Sequence, residues 1–167
     1  MNDELTQVDI KKMQDEVEYR RLELRPKLIE DVKTAREFGD LSENFEYKSA
    51  KREKNRNDSR IRYLERMIKT AKVIEVNSKS DEIGLFDKVE IYIEDDDETQ
   101  SIELVTTLRQ NALKGLISKE SPVGKAVLGR RAGDRVLVEV NPDYSYYIQI
   151  RRVEKGSDDV SLPISAY

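Results

Sequence analysis

The stretch Phe-Gly-Asp-Leu-Ser-Glu-Asn at residues 38–44 decides the fold of the first half of the chain, because it separates two long helical patterns. Gly39 suits the left-handed backbone position that ends a helix. Asp40, with Glu43 three residues later, matches a capping box and predicts that the second helix begins with Asp40 as its N-cap. A connection this short predicts that the two helices run antiparallel.

Both segments that flank this loop have the spacing of helices that pack against each other. Between Thr6 and Ala71 the only glycine or proline residues are Pro26 and Gly39, and we expect Pro26 to kink the first helix. Each helix would have about 30 residues, so the hairpin would project about 45 Å. The second segment carries a heptad pattern with steps of three and four, formed by Tyr47, Ala50, Lys54, Asn57, Ile61, Leu64, Ile68 and Ala71.

After Lys72 the pattern changes to the alternation of strands. Predicted strands cover residues 89–93, 100–107, 115–118, 135–140 and 146–153, with a turn at 94–98 and one short helix from Ser121-Pro122 to Gly129. The fold class is therefore α+β. We predict an antiparallel two-helix coiled coil in residues 1–75, a small antiparallel sheet domain with one short helix in residues 76–154, and a polar, partly disordered tail in residues 155–167.

Composition excludes several classes of chemistry. The 167 residues include no cysteine and no histidine, which excludes disulfides, thiolate zinc sites, imidazole metal ligands and Ser-His-Asp catalysis. No apolar run is long enough to span a membrane, and the first residues lack a signal-peptide core. We therefore expect a cytoplasmic protein that has no membrane partner.

Charge is distributed unevenly along the chain. The net charge is −4, but residues 48–72 carry ten basic and three acidic side chains, a local net charge of +7. Such a segment attracts a polyanion. The ordinary interpretation of a charge run is nevertheless a solvated helix face.

Asp40 and Glu43 are the candidate chemical groups of the hairpin. On spacing alone, the ordinary interpretation is a helix cap. Carboxylates beside a helix N-terminus are also hard oxygen ligands of the kind that Mg²⁺ accepts. Two carboxylates do not complete an octahedral site, so the remaining ligands would come from water or from a partner molecule.

The motif and its setting closely resemble the Gre family of bacterial transcript-cleavage factors. The resemblance covers roughly residues 5–153 and rests on Arg25-Pro26, the run AREFGDLSEN at 35–44, Glu46-Tyr47, Gly115–Ser118, Ser121-Pro122 and Ala132-Gly133-Asp134. It implies an N-terminal coiled coil and a C-terminal FKBP-like domain. The domain would dock on bacterial RNA polymerase at the secondary channel, and the coiled coil would reach the active centre.

The resemblance also implies roles for individual residues. Asp40 and Glu43 would help to hold a weakly bound Mg²⁺ that is shared with the polymerase active centre and is not bound stably by the free protein. The polymerase, rather than this protein, would then hydrolyse the backtracked nascent RNA. Ser121 and Pro122 would contribute to docking, and the protein would be monomeric. The basic residues expected to contact RNA are Lys48, Lys51, Arg52, Lys54 and Arg56.

Three departures from the family pattern keep other hypotheses open. Phe45 stands where the family usually has alanine, residues 105–111 (VTTLRQN) lack the acids of the corresponding family segment, and the tail is extended. A Gre-like channel binder that modulates the polymerase without promoting cleavage is the second hypothesis. A proline isomerase and a plain coiled-coil adaptor are two further ones, although residues 83–153 contain only one Phe, four Tyr and no Trp for an aromatic pocket.

Overall fold

The computed structural model describes residues 2–39 and 43–166, in which two units can be distinguished. One is a helical unit of residues 10–71, and the other is a sheet unit that combines residues 3–9 with residues 72–166. The first residues of the chain join the sheet unit because strand β1 (Glu4–Leu5) pairs in parallel with strand β2 (Lys72–Val73). The main part of the sheet unit begins at residue 72, close to the boundary predicted near residue 75, and residues 3–9 join it as well.

The helices form the predicted antiparallel hairpin. Helix α1 (Gln7–Tyr19), a π-helical turn (Arg20–Leu24) and helix α2 (Arg25–Arg36) form one continuous run, and helix α3 (Phe45–Thr70) returns beside α2. Pro26 has no backbone N–H to donate, and the turn before it is widened, with the Arg25 N–H bonded to the Arg20 carbonyl. A π-helical turn thus directly precedes α2, in which Pro26 is the second residue. None of the helices within the described residues is long and apolar enough to cross a membrane.

A polar layer interrupts the apolar packing of the hairpin at Asn57, as its heptad pattern indicates. Asn57 is buried; its Oδ1 accepts a hydrogen bond from Arg20 Nη1 at 2.8 Å, and its Nδ2 donates to the Arg20 carbonyl at 3.3 Å. One turn further on, Arg60 Nε donates to Glu16 Oε2 at 2.8 Å. Buried polar pairs of this kind fix the register of a coiled coil. Ile61 and Leu64 continue the packing as buried apolar residues.

The sheet unit contains the predicted strands. The elements are β3 (Lys88–Ile93), β4 (Glu98–Val105), β5 (Leu116–Ser118), helix α4 (Pro122–Val127), β6 (Arg135–Asn141) and β7 (Tyr144–Glu154), with 3₁₀ turns at Thr107–Arg109 and Ala112–Lys114. These five strands lie in the order β5-β4-β3-β7-β6, and the neighbours are antiparallel except for the parallel pair β4–β5. Buried side chains alternate along β3 and β7, including Val89, Ile91, Ile148 and Ile150, and form the core with residues of β4, β6 and α4.

A buried arginine joins distant parts of the sheet unit. The side chain of Arg109 is fully buried; its Nε donates to Asp9 Oδ1 at 2.5 Å, and its Nη1 lies 2.5 Å from Asp158 Oδ1. The guanidinium also stacks 5.0 Å from the ring centroid of Phe86. Burial alone would lower the pKa of Arg109, but hydrogen bonds to Asp158 and Asp9 outweigh it and raise that pKa. The guanidinium of Arg109 thus connects the N-terminal segment, through Asp9, with the C-terminal segment, through Asp158.

The C-terminal segment packs on the sheet unit, which corrects the expectation of a partly disordered tail. Lys155 Nζ pairs with Asp87 Oδ2 at 2.5 Å, and the Ser165 N–H donates to the Leu108 carbonyl at 2.7 Å. Leu162 packs against the cluster formed by Leu85, Phe86, Val105 and Leu116. Residues 155–166 show no hydrophobic periodicity, because they form an irregular segment along the surface of the sheet unit. Their charged and apolar side chains nevertheless have specific partners.

Candidate functional site at the end of the helical hairpin

The loop at the end of the hairpin turns at Gly39. This residue has φ of +130°, a backbone conformation that other residues rarely adopt, so the requirement for glycine here is confirmed. The preceding turn closes with the Phe38 N–H bonded to the Ala35 carbonyl at 3.2 Å. The predicted site residue Asp40 lies outside the described residues, together with Leu41 and Ser42.

Asn44 caps both helices of the hairpin. Its Oδ1 accepts from the Tyr47 N–H at 3.0 Å, which makes it the N-cap of α3, and its Nδ2 donates to the Ala35 carbonyl in the last turn of α2 at 2.6 Å. The predicted capping box is therefore wrong: α3 begins at Phe45, and Glu43 precedes its N-cap. Asparagine caps a helix as well as aspartate does, and only its amide can donate and accept at once.

Glu43 is consequently free of a capping role. Its side chain is exposed, and it makes no hydrogen bond or ion pair within residues 2–39 and 43–166. The partial positive charge at the start of α3 is compatible with a carboxylate at this position. The described ranges contain no cluster of three or more acidic residues that could hold a metal ion. The carboxylate oxygens of Glu43 suit a hard cation such as Mg²⁺. A Mg²⁺ bound there would need further ligands from outside the described residues.

A basic face of α3 begins next to this loop. Its side chains recur at steps of three and four and line a shallow groove, so they share one side of the helix. We call the following residues the basic face: Lys48, Lys51, Arg52, Asn55, Arg56 and Ser59.

Lys54, one of the five predicted RNA contacts, does not belong to the basic face. Its Nζ pairs with Asp58 Oδ2 at 3.1 Å, and Asp58 Oδ1 also accepts from Arg25 Nε of the facing helix at 3.0 Å. Burial alone would raise the pKa of Asp58, but hydrogen bonds from Lys54 and Arg25 outweigh burial and lower it. Lys54 therefore serves the packing of the hairpin.

The other four predicted cations lie together on the basic face. Arg56 Nη1 lies 3.4 Å from Glu53 Oε1 in an exposed pair, which contributes little. The side chains of Lys48, Lys51 and Arg52 have no carboxylate partner in the part of the chain that the structure describes. These three cations are available to an anionic ligand.

Two aromatic rings lie among these cations. Lys48 Nζ is 5.7 Å from the ring centroid of Phe45, and Lys51 Nζ is 5.9 Å from that of Tyr47. Arg36 Nη2 donates to the Tyr47 hydroxyl at 3.4 Å. This hydrogen bond, aided by the charges of Lys51 and Arg36 and opposed by burial, lowers the pKa of Tyr47. Aromatic rings and cationic groups thus lie close together at the start of α3.

The predicted docking residues Ser121 and Pro122 belong to the sheet unit. The Ser121 Oγ accepts from the Gly124 N–H at 3.0 Å and donates to the Ser118 carbonyl at 2.6 Å, so the predicted N-cap of α4 is confirmed. Pro122 is exposed as the first residue of that helix. The serine hydroxyl is occupied by capping, whereas the proline ring is accessible.

Comparisons with known proteins match both units. The N-terminal family model for transcription elongation factors matches residues 4–73, and the C-terminal GreA/GreB model matches residues 77–155. Transcription elongation factor GreA of Thermoanaerobacter pseudethanolicus is 42% identical over 137 residues, which are 81% of this chain and 87% of the relative. GreA of Mesoplasma florum is 38% identical over 151 residues, 89% of this chain and 96% of the relative. A crystal structure of GreA factor homolog 1 (Gfh1) of Thermus thermophilus has a TM-score of 0.42 and 27% identity, covering 93% of this chain and 100% of the other.

Proposed function

Because the chain belongs to the GreA/GreB family of transcription elongation factors, we propose that it inserts its hairpin into the secondary channel of bacterial RNA polymerase and stimulates cleavage of backtracked RNA. The observation that carries the proposal is the exposed carboxylate of Glu43, which Asn44 relieves of a capping role. A helix of 26 residues spans about 39 Å, long enough for its end to reach into a narrow channel.

In this proposal Asp40 and Glu43 complete the site of a Mg²⁺ that the polymerase active centre holds only weakly. Asp40 and Glu43 contribute carboxylate oxygens to a Mg²⁺ site whose other ligands belong to the polymerase. When bound, the ion supplies the Lewis acidity and the activated water of phosphodiester hydrolysis. Glu43 also accepts a hydrogen bond from the attacking water and thereby orients it. The protein is thus a stimulator, and the polymerase is the enzyme.

The basic face and the sheet unit have separate roles in the proposal. Lys48, Lys51, Arg52 and Arg56 attract the phosphates of the extruded RNA. The sheet unit, with the exposed Pro122, supplies most of the affinity for the polymerase. One copy of the protein acts on each elongation complex, in the cytoplasm.

The proposal is tested by adding the protein to a stalled elongation complex that carries RNA labelled at its 5′ end. We expect shortened RNA that the same polymerase extends again when nucleotides are supplied. Release of RNA that cannot be extended, or no shortening at any concentration that saturates the complex, would contradict cleavage stimulation.

The position of Phe45 favours a second candidate function. The ring of Phe45 lies two residues after Glu43 and is 80% exposed, so it would obstruct a narrow channel. In that case the protein would occupy the channel and slow nucleotide addition without shortening the RNA. Elongation rates in the experiment above separate the two functions.

A further inference from the structure

We propose that Phe45 is a base-stacking contact for single-stranded RNA at the end of the basic face. The inference rests on the proposed function only for the source of the RNA, because binding of RNA at Phe45 does not require the polymerase. It assigns a ligand-binding role to a residue that the packing of the hairpin leaves exposed.

The exposure of Phe45 is the first observation. As the first residue of α3 it is 80% exposed, although burial of a phenylalanine contributes about 1.5–3 kcal/mol to folding. The heptad pattern that packs against α2 runs through Tyr47 and Asn57 and omits Phe45. The ring therefore makes little contribution to the hairpin and is accessible to a ligand.

The cations beside Phe45 are the second observation. Lys48 lies one turn further along the same helix, with Nζ 5.7 Å from the ring centroid, and Lys51 and Arg52 follow without carboxylate partners among the described residues. A base that stacks on Phe45 would therefore have its phosphates beside positive charges. Proteins that bind single-stranded nucleic acids combine stacking rings with such basic grooves.

The chemistry of the basic face favours RNA over an apolar protein partner. The groove of the basic face, which begins one turn beyond Phe45, is lined among the described residues only by charged or polar side chains. Protein-binding hot spots lie in apolar, desolvated surroundings. An exposed ring beside cations that have no carboxylate partner among the described residues instead suits a ligand that has both a flat π face and negative charge.

A direct test measures binding of the full-length protein to short single-stranded RNA that carries 2-aminopurine, at low salt. Phe45→Ala should weaken binding about 5- to 150-fold and abolish the quenching that reports stacking. Phe45→Tyr should retain both, and Phe45→Leu should lose nearly as much as alanine, because leucine is apolar but has no π face. Tyr19→Ala is the matched control, since Tyr19 is a half-exposed aromatic residue outside the basic face, and it should bind as the unmodified protein does.

The salt dependence separates stacking from charge. Phe45→Ala should leave the slope of log affinity against log salt unchanged, whereas Lys51→Gln should reduce it by about 0.7. Unquenched binding, equal affinity for Phe45→Ala, or full rescue by Phe45→Leu would overturn the proposal. Weaker polymerase binding by Phe45→Ala with unaltered RNA binding would also overturn it and would identify a protein contact. Because no polymerase is present in the RNA assay, failure of cleavage stimulation leaves its result unaffected.

Discussion

The sheet unit and the helical hairpin use positive charge in opposite ways. In the sheet unit, Arg109 is fully buried and held between Asp9 and Asp158. On the hairpin, Lys51 and Arg52 are exposed and have no carboxylate partner among the described residues. A buried cation must be paired because its desolvation is costly, whereas an exposed cation contributes little to stability and remains available for binding. Stability therefore depends on the buried, paired cation, whereas the exposed cations are available for the proposed recognition of RNA.

The largest expected effect on stability is at Arg109. Arg109→Met leaves the carboxylates of Asp9 and Asp158 without their cationic partner, so the free energy of unfolding should fall by about 3–5 kcal/mol in urea denaturation. The matched control is Arg131→Met, which removes an exposed pair with Asp81 and should cost less than about 1 kcal/mol. Equal losses for the two variants would show that the buried arginine contributes no more to stability than the exposed one.

A smaller effect is expected at the cap that the two helices share. Asn44→Ala removes the acceptor for the Tyr47 N–H and the donor to the Ala35 carbonyl, so it should destabilise the hairpin by about 1 kcal/mol. Hydrogen exchange should become faster in the first turn of α3. Asn55→Ala on the exposed side of the same helix is the control, and similar exchange in both variants would argue against the shared cap.

An intermediate case is the pair between Glu4 and Lys119 in the sheet unit, which is partly exposed. The hydrogen bond and charge of Lys119 lower the pKa of Glu4. The pair therefore stabilises the fold at pH values above the ordinary glutamate pKa, and this contribution is lost as the pH falls through the lowered value. Lys119→Gln should reduce the free energy of unfolding by less than about 1 kcal/mol at neutral pH and by less in acid. A loss that grows in acid would contradict this assignment.

The smallest effect on stability is expected on the basic face. Lys51→Gln combined with Arg52→Gln should change the free energy of unfolding by no more than about 0.5 kcal/mol, because both side chains are exposed. The same variant should reduce cleavage of long backtracked RNA and its crosslinking to the hairpin. Unaltered RNA cleavage at every salt concentration would show that the basic face is only a solvated surface with no role in binding RNA.

Local patterns in the sequence predicted most of the fold. The heptad pattern that includes Asn57 and Ile61 identified the hairpin, and the alternation of Val89, Ile91 and Ile93 identified strand β3. These patterns succeed because each reflects one buried face of one element.

The errors concern contacts between elements. The Asp40/Glu43 spacing fits a capping box, but the cap that forms is Asn44, whose amide bonds to both helices. The partners of Arg109 lie 100 and 49 residues away along the chain, so no local pattern shows them. The RNA contact at Lys54 stays a prediction, and the pair that Lys54 forms with Asp58, four residues away, is one that the sequence spacing could have indicated.

The proposed function depends most on the acids at the end of the hairpin, Asp40 and Glu43, which we propose stimulate cleavage by the polymerase. The most direct measurement is the rate of RNA cleavage in stalled elongation complexes with the Asp40→Asn, Glu43→Gln double variant. Glu46→Gln, in the first turn of α3, is the matched control. Because Asn44 caps α3, the double variant should fold and bind the polymerase nearly as well as the unmodified protein. It should lose most of the stimulation, and higher Mg²⁺ should restore part of it. Cleavage by the double variant at the rate of the unmodified protein would contradict the account.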